Sequence, residues 1–215
     1  ADLGIRGHGE FAFVSLARAI ERGEFYHDIP GLVWKSPGGW VINAPAPGEL
    51  DALPRMNRNM FDNPRYFAEG GQIGFETKRG CPMACSYCAD PLAKGPLCRQ
   101  RPPEHVADEV ESLVSQGINY FHTCDGEFNI PANHAASICR EFIRRKLGER
   151  ICWYAYCAPV PFTRKLAALM REAGCVGINF GADSGDEVML RTLGRNYSPD
   201  DVINATRFAR DANMS

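Results

Sequence analysis

The sequence has no long apolar run, no surplus of one charge and no basic tract, and each absence removes a class of function. No stretch approaches the roughly 20 apolar residues that span a bilayer. The nearest, Phe11–Ile20, is broken by Arg18 and followed by Glu21 and Arg22. The formal net charge is −2, with basic residues scattered over 215 positions, so neither a nucleic-acid footprint nor a membrane partner is predicted. No signal peptide opens the chain, and the cysteines lack the spacing of a small disulfide-stapled scaffold. A reducing, cytoplasmic compartment is therefore expected. What remains is an ordinary globular composition, 45% hydrophobic and 23% charged, enough for one domain with its own core or one domain plus part of another. The chain starts at Ala1 and stops inside a helical pattern at Ser215, and is expected to be a piece of a longer protein.

The pattern along the chain changes twice. Residues 1–25 read as a short apolar strand, a glycine turn (Arg6-Gly7-His8-Gly9-Glu10) and an amphipathic helix. Residues 26–70 hold a β-hairpin, Leu32-Val33-Trp34-Lys35 and Trp40-Val41-Ile42 around Ser36-Pro37-Gly38-Gly39, followed by a linker. That linker carries Pro45, Pro47, Pro54 and Pro64 with Gly48, Gly70 and Gly71, and shows little periodicity. From residue 71 to 215 strands and helices alternate. Strands are predicted at 72–77, 118–123, 151–157 and 176–180, with helices opened by Pro102-Pro103, by Pro131, near Phe162 and by Ser198-Pro199. Strict alternation predicts parallel βα units, an α/β fold built as a partial (βα) barrel. Chemistry in such folds gathers at the strand C-termini, so loops 78–102, 124–130, 158–161 and 181–197 should share one mouth. Trp153, Tyr154 and Tyr156 bring aromatics to that region, although strand alternation leaves their orientation open.

Nine cysteines are present, and three fall in the first of these loops. Lys78-Arg79-Gly80-Cys81-Pro82-Met83-Ala84-Cys85-Ser86-Tyr87-Cys88 places thiols with spacing C-x3-C-x2-C. Such close spacing lets one loop wrap three corners of a compact iron–sulfur cluster and leave one iron open. A structural zinc site with Cys98 or His105 as fourth ligand is the competing reading, and a zinc-stabilised binding module its non-enzymatic consequence. Cys139 and Cys175 fit core positions, Cys124 and Cys157 lie at strand ends, and His122 reads as a packing residue.

Cys81-x3-Cys85-x2-Cys88, with Tyr87 before the last cysteine and a strand before the loop, resembles the radical SAM superfamily signature. The resemblance covers about residues 71–215. It implies a 4Fe–4S cluster held by Cys81, Cys85 and Cys88, with S-adenosylmethionine (SAM) on the open iron, cleaved by the reduced cluster to a 5′-deoxyadenosyl radical. By the same resemblance Asp125, Gly126 and Glu127 in Cys124-Asp125-Gly126-Glu127 occupy the place that touches the methionine amino group. Asp183 and Ser184 resemble the ribose-contacting turn, Arg195 falls where related enzymes hold the SAM carboxylate, and Tyr87 belongs to the same binding set.

Leu3-Gly4-Ile5-Arg6-Gly7-His8-Gly9-Glu10, followed by helix, hairpin and linker, looks like the passage from a Rossmann-like cobalamin-binding domain into a radical SAM barrel. Members of that branch often read Arg-Gly-Glu-Gly-Glu here, so His8 is a departure, whereas Arg79-Gly80-Cys81-Pro82 matches. The branch implies cobalamin-dependent methylation of an unreactive carbon or phosphorus in a small-molecule substrate. It also contains oxidative cyclases, and tRNA methylthiotransferases are a further alternative. An external flavodoxin or ferredoxin would supply electrons.

Overall fold

The computed structural model describes residues 2–46 and 53–215. Pro47 and Gly48 of the linker reading lie outside the described residues. Strand β1 (Leu3–Ile5) leads into helix α1 (Gly9–Arg22), which Gly23 ends in the left-handed conformation, its N–H returning to the carbonyls of Ala19 and Ile20. Strands β2 (Leu32–Ser36) and β3 (Gly39–Ile42) form the hairpin, and β1 pairs antiparallel with β2. Leu16, Ile29 and Leu32 form a small core under this sheet, with Trp34 stacked on His27 at 4.0 Å. Gly31 closes the corner: a Cβ there would stand 2.7 Å from the Arg6 carbonyl oxygen, and its φ of +77° disfavours any side chain. The expected boundary after residue 25 therefore cuts through one sheet. The hairpin shares its ladder and its core with β1 and α1.

The linker also holds more structure than its prolines suggest. A 3-10 turn at Arg58–Met60 precedes helix α2 (Asn63–Ala68), where Asp62 accepts the Arg65 N–H and Pro64 occupies the first turn. Ion pairs tie the segment down, Arg55 to Asp108 at 2.5 Å and Arg58 to Glu109 at 3.2 Å.

Beyond it the alternation appears as expected. Strand β4 (Ile73–Phe75) is followed by the short ladder β5 (Lys78–Arg79), helix α3 (Asp90–Lys94) and β6 (Arg99–Gln100). Then come α4 (Pro103–Val114), β7 (Tyr120–Thr123), α5 (Ala132–Arg144), β8 (Cys152–Cys157) and α6 (Arg164–Glu172). Strand β9 (Cys175–Phe180), α7 (Glu187–Thr192) and α8 (Pro199–Asp211) complete the order. The larger sheet runs β4-β7-β8-β9, every pair parallel, as βα crossovers require. After α8, Ser215 donates to the Val176 carbonyl and accepts from Ile178 N, along the free edge of β9.

Period-two alternation divides this sheet cleanly. Phe75, Phe121, Trp153, Ala155 and Cys157 point into the helix-facing core and are fully buried. Trp153 sits at the centre of that core, edge-on to Phe75, Phe128 and Phe142, its Nε1 donating to the Ala173 carbonyl at 2.8 Å. Trp153 is thus a core residue and not part of the mouth. The opposite face carries Gly74, His122, Tyr154 and Gly177 in register, with His122 stacked on Tyr154 at 5.7 Å. Among the described residues no helix is long and apolar enough to cross a membrane.

Candidate functional site

The cysteine loop grows from the β5–β6 ladder. Lys78 pairs with Gln100 and Arg79 with Arg99 in a narrow antiparallel stem. At its tip Gly80 has φ +92°, and a Cβ there would meet the Leu97 carbonyl oxygen at 2.2 Å, so only glycine lets the chain turn. Cys81 N–H then donates to the Gly95 carbonyl at 3.1 Å. Farther along, Ser86 N–H donates to the Leu193 carbonyl at 3.0 Å, and this contact pins the middle of the loop to the end of α7. Elements far apart in sequence are in this way brought to one mouth.

Cys81, Cys85 and Cys88 line a single pocket of about 90 Å³ with Tyr87, Glu127 and Arg195. Cys81 is buried, Cys85 half-buried and Cys88 exposed. Burial pushes the Cys81 and Cys85 thiols up, and for Cys85 the nearby Arg195 charge works against that rise. Taking up a metal group as thiolates would therefore release protons. Among the described residues no three His, Cys, Asp or Glu side chains converge on the position of one metal ion. The three cysteines border one common space. All-sulfur donors on one wrapping loop, with acid and guanidinium facing the open side, are chemically suited to a 4Fe–4S cluster and its ligand.

Asp125 stands differently from the sequence expectation. Its carboxylate is turned inward and accepts from Thr77 N (2.8 Å), Thr77 Oγ1 (2.5 Å), Lys78 N (3.2 Å) and Lys78 Nζ (3.2 Å). Both partners of this ion pair are almost completely buried. Lys78 Nζ also donates to the carbonyls of Glu127 at 2.8 Å and Phe128 at 3.4 Å. Asp125 therefore fixes the loops and does not face the pocket. A cofactor contact through its side chain is corrected to a positioning role, because every acceptor direction is already used. Gly126 keeps the turn thin beside Asp90, whose Oδ2 would lie 3.2 Å from an added Cβ.

Glu127 does face the pocket. Its side chain is 13% exposed, Arg195 Nη1 lies 3.9 Å away, and Oε2 has no hydrogen-bond partner. Desolvation pushes its carboxyl up to about 7, against the opposing pull of Arg195 and Lys78.

Across the mouth, Asp183 adopts φ +54° and gathers three donors: Tyr87 Oη at 2.9 Å, Tyr197 Oη at 3.3 Å and Arg195 Nε. Burial works to raise the Asp183 carboxyl, but the bonds from Arg195 and Tyr87 outweigh it and hold it below its ordinary value. Arg195 Nη2 donates to Tyr87 Oη at 2.6 Å, and the guanidinium lies 5.6 Å from the ring centres of both Tyr87 and Tyr197. Burial and the Asp183 bond push the Tyr87 phenol up to about 12, so it remains a neutral donor. Ser184 is committed locally, its Oγ accepting the Asp186 N–H at 3.1 Å ahead of α7. The loop pairing is tight: Gly194 has φ +74°, and a Cβ there would stand 2.5 Å from the Ala84 carbonyl oxygen.

Two residues of this constellation escaped sequence reasoning. Lys78 was visible only as the residue before Arg79-Gly80-Cys81, and a lysine beside a polar loop reads as solvated. Tyr197, in Arg195-Asn196-Tyr197-Ser198, could have been found from its position at the mouth end of the last loop. Cys98 points its sulfur toward the carbonyls of Gly80 and Ile130 at 3.6 and 3.7 Å. Cys139, Cys157 and Cys175 are buried in the helix-facing core.

Comparison with known proteins places this geometry in context. The family described as the Radical SAM superfamily matches residues 75–215. A tryptophan 2-C-methyltransferase from Streptomyces laurentii is 42% identical over 136 residues, covering 60% of this chain and 22% of that protein. An uncharacterized methyltransferase, PH0819 of Pyrococcus horikoshii, is 29% identical over 213 residues, covering 97% of this chain and 46% of that protein. The solved structure of the radical S-adenosylmethionine methyltransferase TsrM from Kitasatospora setae, with cobalamin and a 4Fe–4S cluster bound, superposes with a TM-score of 0.86. It shares 30% identity and covers 99% of this chain and 44% of that one. The chain spans less than half the length of each of these relatives.

Proposed function

Because the chain belongs to the radical SAM superfamily, we propose that Cys81, Cys85 and Cys88 hold a 4Fe–4S cluster that binds S-adenosylmethionine, in a cobalamin-dependent methyltransferase acting on an unreactive carbon. The observation that carries this reading is the common pocket lined by the three cysteines together with the Glu127 carboxyl and the Arg195 guanidinium. When bound, the cluster supplies an electron to the SAM sulfonium and cobalamin supplies a methyl carrier.

The chain's own residues bind and orient. Arg195, lying 5.6 Å from the ring centres of Tyr87 and Tyr197 and oriented by Asp183, would offer its remaining N–H groups to the SAM carboxylate. Glu127, with one unpartnered oxygen, accepts from the amino group. Asp183 would accept from ribose hydroxyls, with Gly126 and Tyr87 lining the same opening and Ser184 keeping the turn in place. The buried Asp125–Lys78 pair holds the first two loops in register. Orientation of this kind is worth several orders of magnitude in rate when reacting atoms are held close.

Residues 1–25, continued by the hairpin that shares their sheet and core, are read as the end of a cobalamin-binding domain, supported by the match to TsrM across nearly the whole of this chain. A small-molecule substrate, with tryptophan as the named precedent among relatives, fits the aromatic face of His122 and Tyr154. An external flavodoxin or ferredoxin is the expected electron donor. Nine unpaired cysteines suit a reducing, cytoplasmic compartment.

The test is anaerobic reconstitution of the full-length protein with iron and sulfide, followed by incubation with SAM and a low-potential reductant. Formation of S-adenosylhomocysteine or 5′-deoxyadenosine, with loss of iron and sulfide in Cys85→Ala, is the expected result. Uptake of zinc alone, or a full iron complement in Cys85→Ala, would overturn the reading.

A further inference from the structure

The glycine turn Arg6-Gly7-His8-Gly9-Glu10 has no part in the site as described, yet it is where the N-terminal unit touches the cysteine loop. Glu10, in the first turn of α1, pairs with Arg79 through Oε1 and Nη1. Arg79 Nε donates to Glu76 at 2.8 Å, so its guanidinium is gripped from two sides. Two residues earlier on the turn, His8 Nε2 lies 3.2 Å from the Lys94 carbonyl. That same carbonyl accepts from Arg99 Nη2 at 2.7 Å. Arg79 and Arg99 are directly opposite each other in the β5–β6 stem.

Gly80 and Cys81 follow Arg79 immediately, and Gly95, the acceptor for Cys81 N–H, follows Lys94. The outgoing arm of the loop is thus held by Glu10, and the returning arm by His8. The Glu10 and Arg79 side chains are only 37% and 20% exposed, which shields the pair more than an open surface contact.

We propose that His8 to Glu10 form a latch on the cysteine loop, and that Glu10 is a positioning residue for the iron–sulfur site, acting through Arg79. The proposal rests on the iron–sulfur reading of Cys81, Cys85 and Cys88. The latch sets the direction in which the chain enters Gly80 and hence where the Cys81 sulfur projects. It also makes a displacement of the N-terminal unit felt at that sulfur. The acid at position 10 and the arginine two residues before Cys81 then belong to one interaction.

Glu10→Gln and Glu10→Asp are compared with the unaltered full-length protein, each prepared cluster-free and also reconstituted anaerobically. Amide hydrogen exchange of residues 79–98 is followed without the cluster. With it, iron loss to excess chelator and the electron paramagnetic resonance of the reduced cluster are recorded. Glu10→Gln is expected to accept a full iron complement, to speed loop exchange and iron loss about two- to fivefold, and to shift the resonance. Glu10→Asp is expected to recover much of each effect. Unchanged loop exchange in Glu10→Gln overturns the latch. Faster exchange with unaltered iron loss and resonance overturns the positioning role. If the unaltered protein takes up no iron and sulfide, the cluster reading fails and the positioning role with it, while the exchange measurement still decides the latch.

Discussion

Around residues 3–42 the sheet is antiparallel and its buried core is Leu16, Ile29 and Leu32, whereas from Ile73 onward the larger sheet is parallel and one buried cluster runs to Met214. The first unit leaves Phe11, Phe13, Val14, Ile20 and Phe25 facing outward along and beyond α1. The second covers one sheet face with helices and buries Phe75, Phe121 and Trp153 there, leaving Tyr120 and Tyr156 exposed. Area buried from water sets the hydrophobic contribution, so the second unit carries most of the stability of the chain.

Hollowing out each core in turn separates the two units most clearly. Trp153→Ala should cost about 3–5 kcal/mol, read as a fall in the urea midpoint, because it removes the ring on which Phe75, Phe128 and Phe142 converge. The next largest effect is expected at the mouth. With its carboxyl raised from 4.5 to about 7, Glu127 favours the folded state while neutral, so its contribution is full below pH 4.5 and is lost as pH rises through about 7. The decline in unfolding free energy of the cluster-free protein should amount to roughly 3 kcal/mol at most, and Glu127→Gln should flatten it. Leu32→Ala should cost about 2–3 kcal/mol, with faster amide exchange confined to residues 2–46. A global loss matching that of Trp153→Ala would erase the distinction between the units. Ser198→Ala should be smallest, about 1 kcal/mol, because it removes the hydroxyl of the capping box with Asp201 at the start of α8.

Much of this arrangement was legible in the sequence. The four parallel strands, their helices and the hairpin at Pro37-Gly38 follow from periodicity and turn residues, and the cysteine loop, Glu127, Asp183 and Arg195 do share one mouth. What was missed has a common physical cause. The direction of a side chain at a strand end depends on register, and Asp125 and Trp153 both turn inward where the sequence shows only an acid and an aromatic near a mouth. Lys78 escaped for the same reason, since its burial is made possible by an acid 47 residues away. The short helix α2 was overlooked because prolines around it suggested a linker, although Asp62-Asn63-Pro64 is a good helix start. The single ladder that joins β1 to the hairpin is a long-range pairing that local pattern does not announce.

The inward turn of Asp125 has a consequence for how this chain can vary. By pegging Thr77 and Lys78 to the segment that follows β7, it anchors the root of the cysteine loop independently of whatever the tip carries. Changes of side chain at the rim, as at the exposed Leu92 and Leu97, can then alter the outline of the opening while the root keeps its footing. Shape at the rim is free to diverge, and the first sulfur stays on a fixed foundation.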